Sequence, residues 1–122
     1  MSPSDKAQRL PDYVAHIVEA AQLAQAYCAE MTEEQFLQDK KTQQAVLLNL
    51  MVIGEAVAKI GAAFPEFLDE HPDIPWKAIK GMRNRLAHGY FDVNLEMVWE
   101  TVRSALPPLE KTLHVIQGGL NP

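Results

Sequence analysis

Between Asp39 and Gly61 the apolar residues Val46, Leu47, Leu50, Ile53, Val57 and Ile60 recur in steps of three and four, the spacing of one helix face. Nowhere do Val, Ile and Thr alternate with polar residues long enough to build a strand. A chain with this pattern is confined to helix-on-helix architectures. The same periodicity recurs in Tyr13, Ile17, Ala20, Ala21, Ala24 and Cys28, which predicts a first helix from Pro11 to about Met31. Thr32 followed by Gln35 has the form of a capping box opening a short turn, and Asp39 can cap the long helix, whose end is expected near Gly61. Residues 62–71 read as a loop with one turn around Phe64, Phe67 and Leu68. Asp73 and Pro75 can then start a further helix that anchors Trp76 and Ile79 in the core and ends at Gly89. Leu95, Val98, Trp99, Val102 and Leu106 give a last amphipathic helix from about Asn94, which Pro107 and Pro108 should kink or interrupt before it resumes to Ile116. The expectation is an all-α, compact four-to-five-helix antiparallel bundle. One helical domain over residues 11–118 would lie between a flexible tail at 1–10 and a short C-terminal tail at 119–122.

A chain of 122 residues can bury one core but not two, and 48% apolar with 22% charged residues is the balance of a globular protein. No apolar run reads as approaching the roughly 20 residues that span a bilayer, so no membrane partner is expected. The first residues, MSPSDKAQRLPDYV, place charges and prolines where a secretory signal needs an apolar stretch, and the single Cys28 has no internal disulfide partner. A reducing cytoplasm fits both features. The net charge of −5 argues against a domain-wide nucleic-acid footprint, yet the stretch from Ile74 to Phe91 holds Lys77, Lys80, Arg83 and Arg85 and no acid. That stretch therefore carries +4 and leaves −9 to the rest of the chain.

The same stretch contains Arg83-Asn84-Arg85-Leu86-Ala87-His88-Gly89-Tyr90 where a helix should end. The guanidinium fork of Arg83 suits the non-bridging oxygens of a phosphodiester, and the imidazole of His88 exchanges protons near neutral pH. Asn84 lies one turn from His88 on the same face and can position either group. No Asp, Cys and His combination has metal-ligand spacing, and His16, His71 and His114 are isolated from one another, so neither metal nor cofactor is implied. Without a metal-activated water, the simplest nucleophile is the substrate's own ribose 2′-hydroxyl. That choice restricts the reaction to RNA and leaves a 2′,3′-cyclic phosphate. The reaction needs an acid and a base, and one chain offers one well-placed His, so two motifs facing across a homodimer would complete the set.

Arg83-Asn84-x-x-x-His88-x-Tyr90, with Ile53 to Ala56 (IGEA), Ile74 to Trp76 (IPW) and Val98-Trp99, resembles the HepT-type HEPN domains over nearly the whole chain after its N-terminal tail. The resemblance implies an all-helical bundle, a homodimer with its motifs facing each other, and metal-independent ribonuclease activity on cellular RNA as the toxin of a toxin–antitoxin pair. It also implies a minimal nucleotidyltransferase partner, the antitoxin, which transfers AMP from ATP to Tyr90. A bulky anion beside Arg83 and His88 would fill the site and repel phosphate.

Plainer readings exist for the same residues. Arg83 and Asn84 can be a surface ion pair and a polar contact, His88 a helix-terminal residue on a free carbonyl, and Tyr90 an apolar cap under Trp99. Lys77, Lys80 and Arg85 are RNA-binding candidates or a solvated face. Glu55, on a strongly apolar helix, is either a structural acceptor for a buried partner, the favoured reading, or a carboxylate that holds Arg83 or the motif helix in place. Trp76 and Trp99 read as core or dimer anchors. The competing function is a non-catalytic interaction module that docks a nucleotidyltransferase; a nucleotide-binding role lacks a glycine-rich phosphate loop.

Overall fold

The computed structural model describes residues 3–89 and 92–120, and among them the regular elements are all helical. In order they are α1 (Pro3–Cys28), α2 (Glu33–Gln38), α3 (Lys40–Ala63), α4 (Pro65–Glu70), α5 (Trp76–His88), α6 (Leu95–Glu100), a π-helical turn (Thr101–Ala105) and α7 (Leu106–Leu120). The expected caps form. Gln35 N–H donates to Thr32 Oγ1 at 3.2 Å while Thr32 N–H donates to Gln35 Oε1 at 3.0 Å, closing the capping box of α2. Asp39 accepts from Thr42 N–H at 3.1 Å and from the Thr42 hydroxyl at 2.7 Å, which opens α3 and holds the Asp39 carboxyl below its usual range.

α3 is the centre of the bundle, packed by α1 on one side and α5 on another, with α7 lying on α1. Val46, Leu50, Ile53, Val57 and Ile60 of α3 are buried, as are Val14, Ile17, Ala21 and Ala24 of α1 and Leu106, Leu109 and Leu113 of α7. The short α2 joins this core through Phe36, whose ring lies 5.4 Å from that of Trp99. By length and composition α3 could cross a membrane, with a mean hydropathy of 1.7, so the expectation that no run approaches a span is corrected. Its packing between α1 and α5 is that of a core helix.

Four features differ from what the sequence predicts. α1 begins at Pro3 with Pro11 inside it, so residues 3–10 are helix where a loose tail was expected. Pro11 forfeits one backbone bond, but Leu10 and Tyr13 beside it pack against the core and favour continuation. α3 runs past Gly61 to Ala63 and stops because Phe64 precedes Pro65, which disfavours helical backbone at Phe64. The last helix is not interrupted at Pro107 and Pro108. It widens one turn earlier, where Leu106 N–H reaches back to the Thr101 carbonyl, and this π turn absorbs the missing proline donors. α7 then continues to Leu120, which packs against the core, so the helical domain extends beyond residue 118.

Candidate active site

α5 carries the motif, and its two ends explain its placement. At the start no side chain caps the helix, and Asp73 does not serve; Pro75 occupies the cap position, and the buried Trp76 donates its indole N–H to the His71 carbonyl at 3.0 Å. Phe67 stands 6.0 Å from the Trp76 ring and 4.7 Å from that of His71, so α4 braces this corner. At the end Gly89 N–H bonds the Arg85 carbonyl at 2.8 Å, and Asp92 N–H bonds the Gly89 carbonyl at 2.9 Å. The Asn94 side chain then accepts from Met97 N–H at 3.0 Å and starts α6.

The motif residues divide between two faces of α5. Arg83 points to α3, where its Nε lies 3.3 Å from Glu55 Oε1, with side-chain exposures of 25% and 53% respectively. The alignment falls short of a hydrogen bond, so Nε is enclosed with Glu55 as its ionic neighbour. His88, five residues on, is turned about 140° around the axis and about 7.5 Å along it. Lys77, Gly81, Asn84 and His88 follow in steps of four, three and four and form an outward stripe on which Lys77, Asn84 and His88 are exposed. Lys80 and Arg85 flank it, also exposed, and no described carboxylate pairs with Lys77, Lys80 or Arg85. His88 and Arg85 line a cavity of about 460 Å³ between α5 and α6, together with Met82, Val93 and Met97. Gly89 and Asp92 also line that cavity. Tyr90, between them in sequence, lies outside the described residues.

Chemically, Arg83 offers a guanidinium held from one edge, and the stripe offers an exposed imidazole beside an amide and unpaired cations. Glu55 is half exposed and lies against the enclosed Nε of Arg83, so the carboxylate and the arginine named together in one of its two sequence readings are neighbours in the fold. Gly54 stood in the sequence only as part of the IGEA stretch, with no role of its own. An added Cβ there would overlap the Arg83 Cβ and stand 2.6 Å from its Cγ, so α3 and α5 can meet only because residue 54 has no side chain. The available signal was a glycine inside a long apolar helix, which costs about 1 kcal/mol against alanine and needs a packing reason.

An all-helical bundle with Arg83 and His88 on one helix is the setting, and sequence comparison shows the family. The family described as Ribonuclease HepT-like matches residues 17–116, and the chain belongs to that family of HEPN-type helical domains. A probable ribonuclease HepT of Thermococcus cleftensis is 41% identical over 99 residues, covering 81% of this chain and 87% of the relative. A candidate RNase of Methanocaldococcus jannaschii is 40% identical over 94 residues, covering 73% of this chain and 74% of its own. A candidate RNase of Caldanaerobacter subterraneus is 36% identical over 104 residues, covering 85% and 90%. No solved structure matches the chain.

Proposed function

We propose that this protein is a metal-independent endoribonuclease acting as the toxin of a toxin–antitoxin pair. The observation that carries the reading is the pairing, in a HepT-like chain, of a guanidinium seated against α3 with an exposed imidazole one and a half turns further along the same helix. Arg83 binds the scissile phosphate through its free guanidinium edge, and Asn84 orients the phosphate or His88. A base removes the 2′-hydroxyl proton as that oxygen attacks phosphorus; the bond to the 5′-oxygen breaks, the leaving oxygen takes a proton from an acid, and a 2′,3′-cyclic phosphate remains. One His88 from each of two chains fills the two roles. The stripe supports close approach of a second copy: a Cβ added at Gly81 meets nothing within 4 Å, so no contact with the described residues accounts for a glycine there. Lys77, Lys80 and Arg85 draw the RNA backbone in.

Control would come from a minimal nucleotidyltransferase antitoxin that joins the Tyr90 oxygen to the α-phosphate of ATP and releases pyrophosphate. The added anion lies two residues from His88 and competes with the RNA phosphate. The test is wild type against His88→Ala on total RNA in EDTA, with new 3′ ends analysed. Cleavage by wild type alone, leaving cyclic phosphate and falling by about 10²- to 10⁴-fold in the variant, is the expected result. Intact RNA from wild type with Tyr90 unmodified by mass would favour a docking module.

A further inference from the structure

Gly54 and Glu55 are adjacent on α3, and both meet the same residue of α5. Gly54 brings the backbone of α3 against the Cα, Cβ and Cγ of Arg83, with the Cα 3.4 Å from where a Cβ would be. Glu55 then meets that side chain further out, at Nε. The stem is fixed by contact and the head by charge, which leaves the arginine few rotamers to explore. We infer that Gly54 and Glu55 form a seat that aims the Arg83 guanidinium, with Glu55 acting as a positioning residue in RNA cleavage.

The geometry selects which edge of the guanidinium is presented. Nε is enclosed and faces the carboxylate, whereas neither terminal nitrogen has an acceptor among the described residues. A planar fork with its Nε against a carboxylate leaves its two terminal nitrogens without a partner in the chain's described residues, and such a pair can grip two phosphate oxygens at once. An ion pair this exposed adds little to stability, so its worth lies in orientation. Gly54 has no substitute, because any side chain pushes α5 away and carries Arg83 with it. This inference rests on the ribonuclease reading, since the aimed group must have a phosphate to hold.

The experiment compares wild type, Glu55→Ala, Glu55→Gln and His88→Ala in single-turnover cleavage, thermal melting and binding of an uncleavable 2′-O-methyl RNA. The Arg83 Nε–H resonance is followed by NMR in parallel. Glu55→Ala should slow cleavage about 10- to 100-fold while melting stays within experimental scatter and RNA affinity changes less. Glu55→Gln, which keeps shape and an acceptor, should recover part of the rate. The Nε–H of Arg83 should exchange slowly in wild type and fast in Glu55→Ala. Wild-type rates in Glu55→Ala beside an inactive His88→Ala would overturn the seat and leave the nuclease reading standing. Intact RNA with wild type would sink the nuclease reading itself, and unchanged Nε–H exchange in Glu55→Ala would independently show that the pair does not hold the head.

Discussion

The α3–α5 seam and the outward stripe of α5 lie on one short helix and are built on opposite principles. At the seam, Arg83 is bounded by Gly54 along its stem and Glu55 at its head, so its place follows from the fold of one chain. On the stripe, Lys77, Gly81, Asn84 and His88 face outward, with open space at Gly81 and no described ion-pair partner for Lys77. On the proposed ribonuclease reading, a phosphate-binding group gains from a fixed aim, while a proton-transferring group that works in pairs gains from a surface another molecule can complete. The fold supplies the first and leaves the second open. Substitutions at the two places should therefore fail in different ways.

The largest effect is expected at the seam. Gly54→Val forces α3 and α5 apart and should cost about 1 to 3 kcal/mol, with cleavage falling at temperatures where the variant is still folded. Urea unfolding followed by circular dichroism, with activity measured well below the transition, separates the two losses. If Gly54→Val kept both the wild-type midpoint and the wild-type rate, the seam would not be as tight as the helix contact implies.

Gly81 sharpens the contrast, because it lacks the neighbours that Gly54 has. Gly81→Ala should stabilise the isolated fold by about 0.5 to 1 kcal/mol, since it removes a helix-interior glycine without a clash. Gly81→Trp should fold equally well and yet run as a monomer in sedimentation and lose cleavage. A dimeric, active Gly81→Trp protein would place the second copy elsewhere.

How much of this was legible in the sequence depends on whether a signal is local. The caps at Thr32 and Asp39 were readable because each bond spans three residues, and the buried face of α3 was readable from its periodicity. The π turn was not, because Pro107 and Pro108 announce a disturbance but not that the chain absorbs it over Thr101–Ala105. The start of α1 was misplaced because Pro11 is a valid first residue and only the packing of Leu10 shows that the helix continues. The motif residues were visible as residue types at helical spacing. Their division between two faces was partly visible from the same spacing, but the pairing of Arg83 with Glu55 stood there only as the less favoured of two readings, because it joins positions 28 apart and is a property of the packed helices.

The smallest effect is expected at the margin of the stripe, and it tests whether the exposed cations act as separate phosphate contacts. Lys80→Ala removes a charge that has no described carboxylate partner, so folding stability should hardly move. Affinity for an uncleavable single-stranded RNA should fall by a few fold at low salt, and the slope of log affinity against log salt should become shallower by about 0.7, the value for one lost contact to single-stranded RNA. Arg83→Ala should lower the slope by a similar amount, because a phosphate contact counts once in counterion release wherever its cation is seated. Only Arg83→Ala should also abolish cleavage of a substrate bound to saturation, because a cation that merely attracts the backbone is replaced by concentration and an aimed one is not. Equal losses of saturated rate in Lys80→Ala and Arg83→Ala would erase the distinction between seam and stripe.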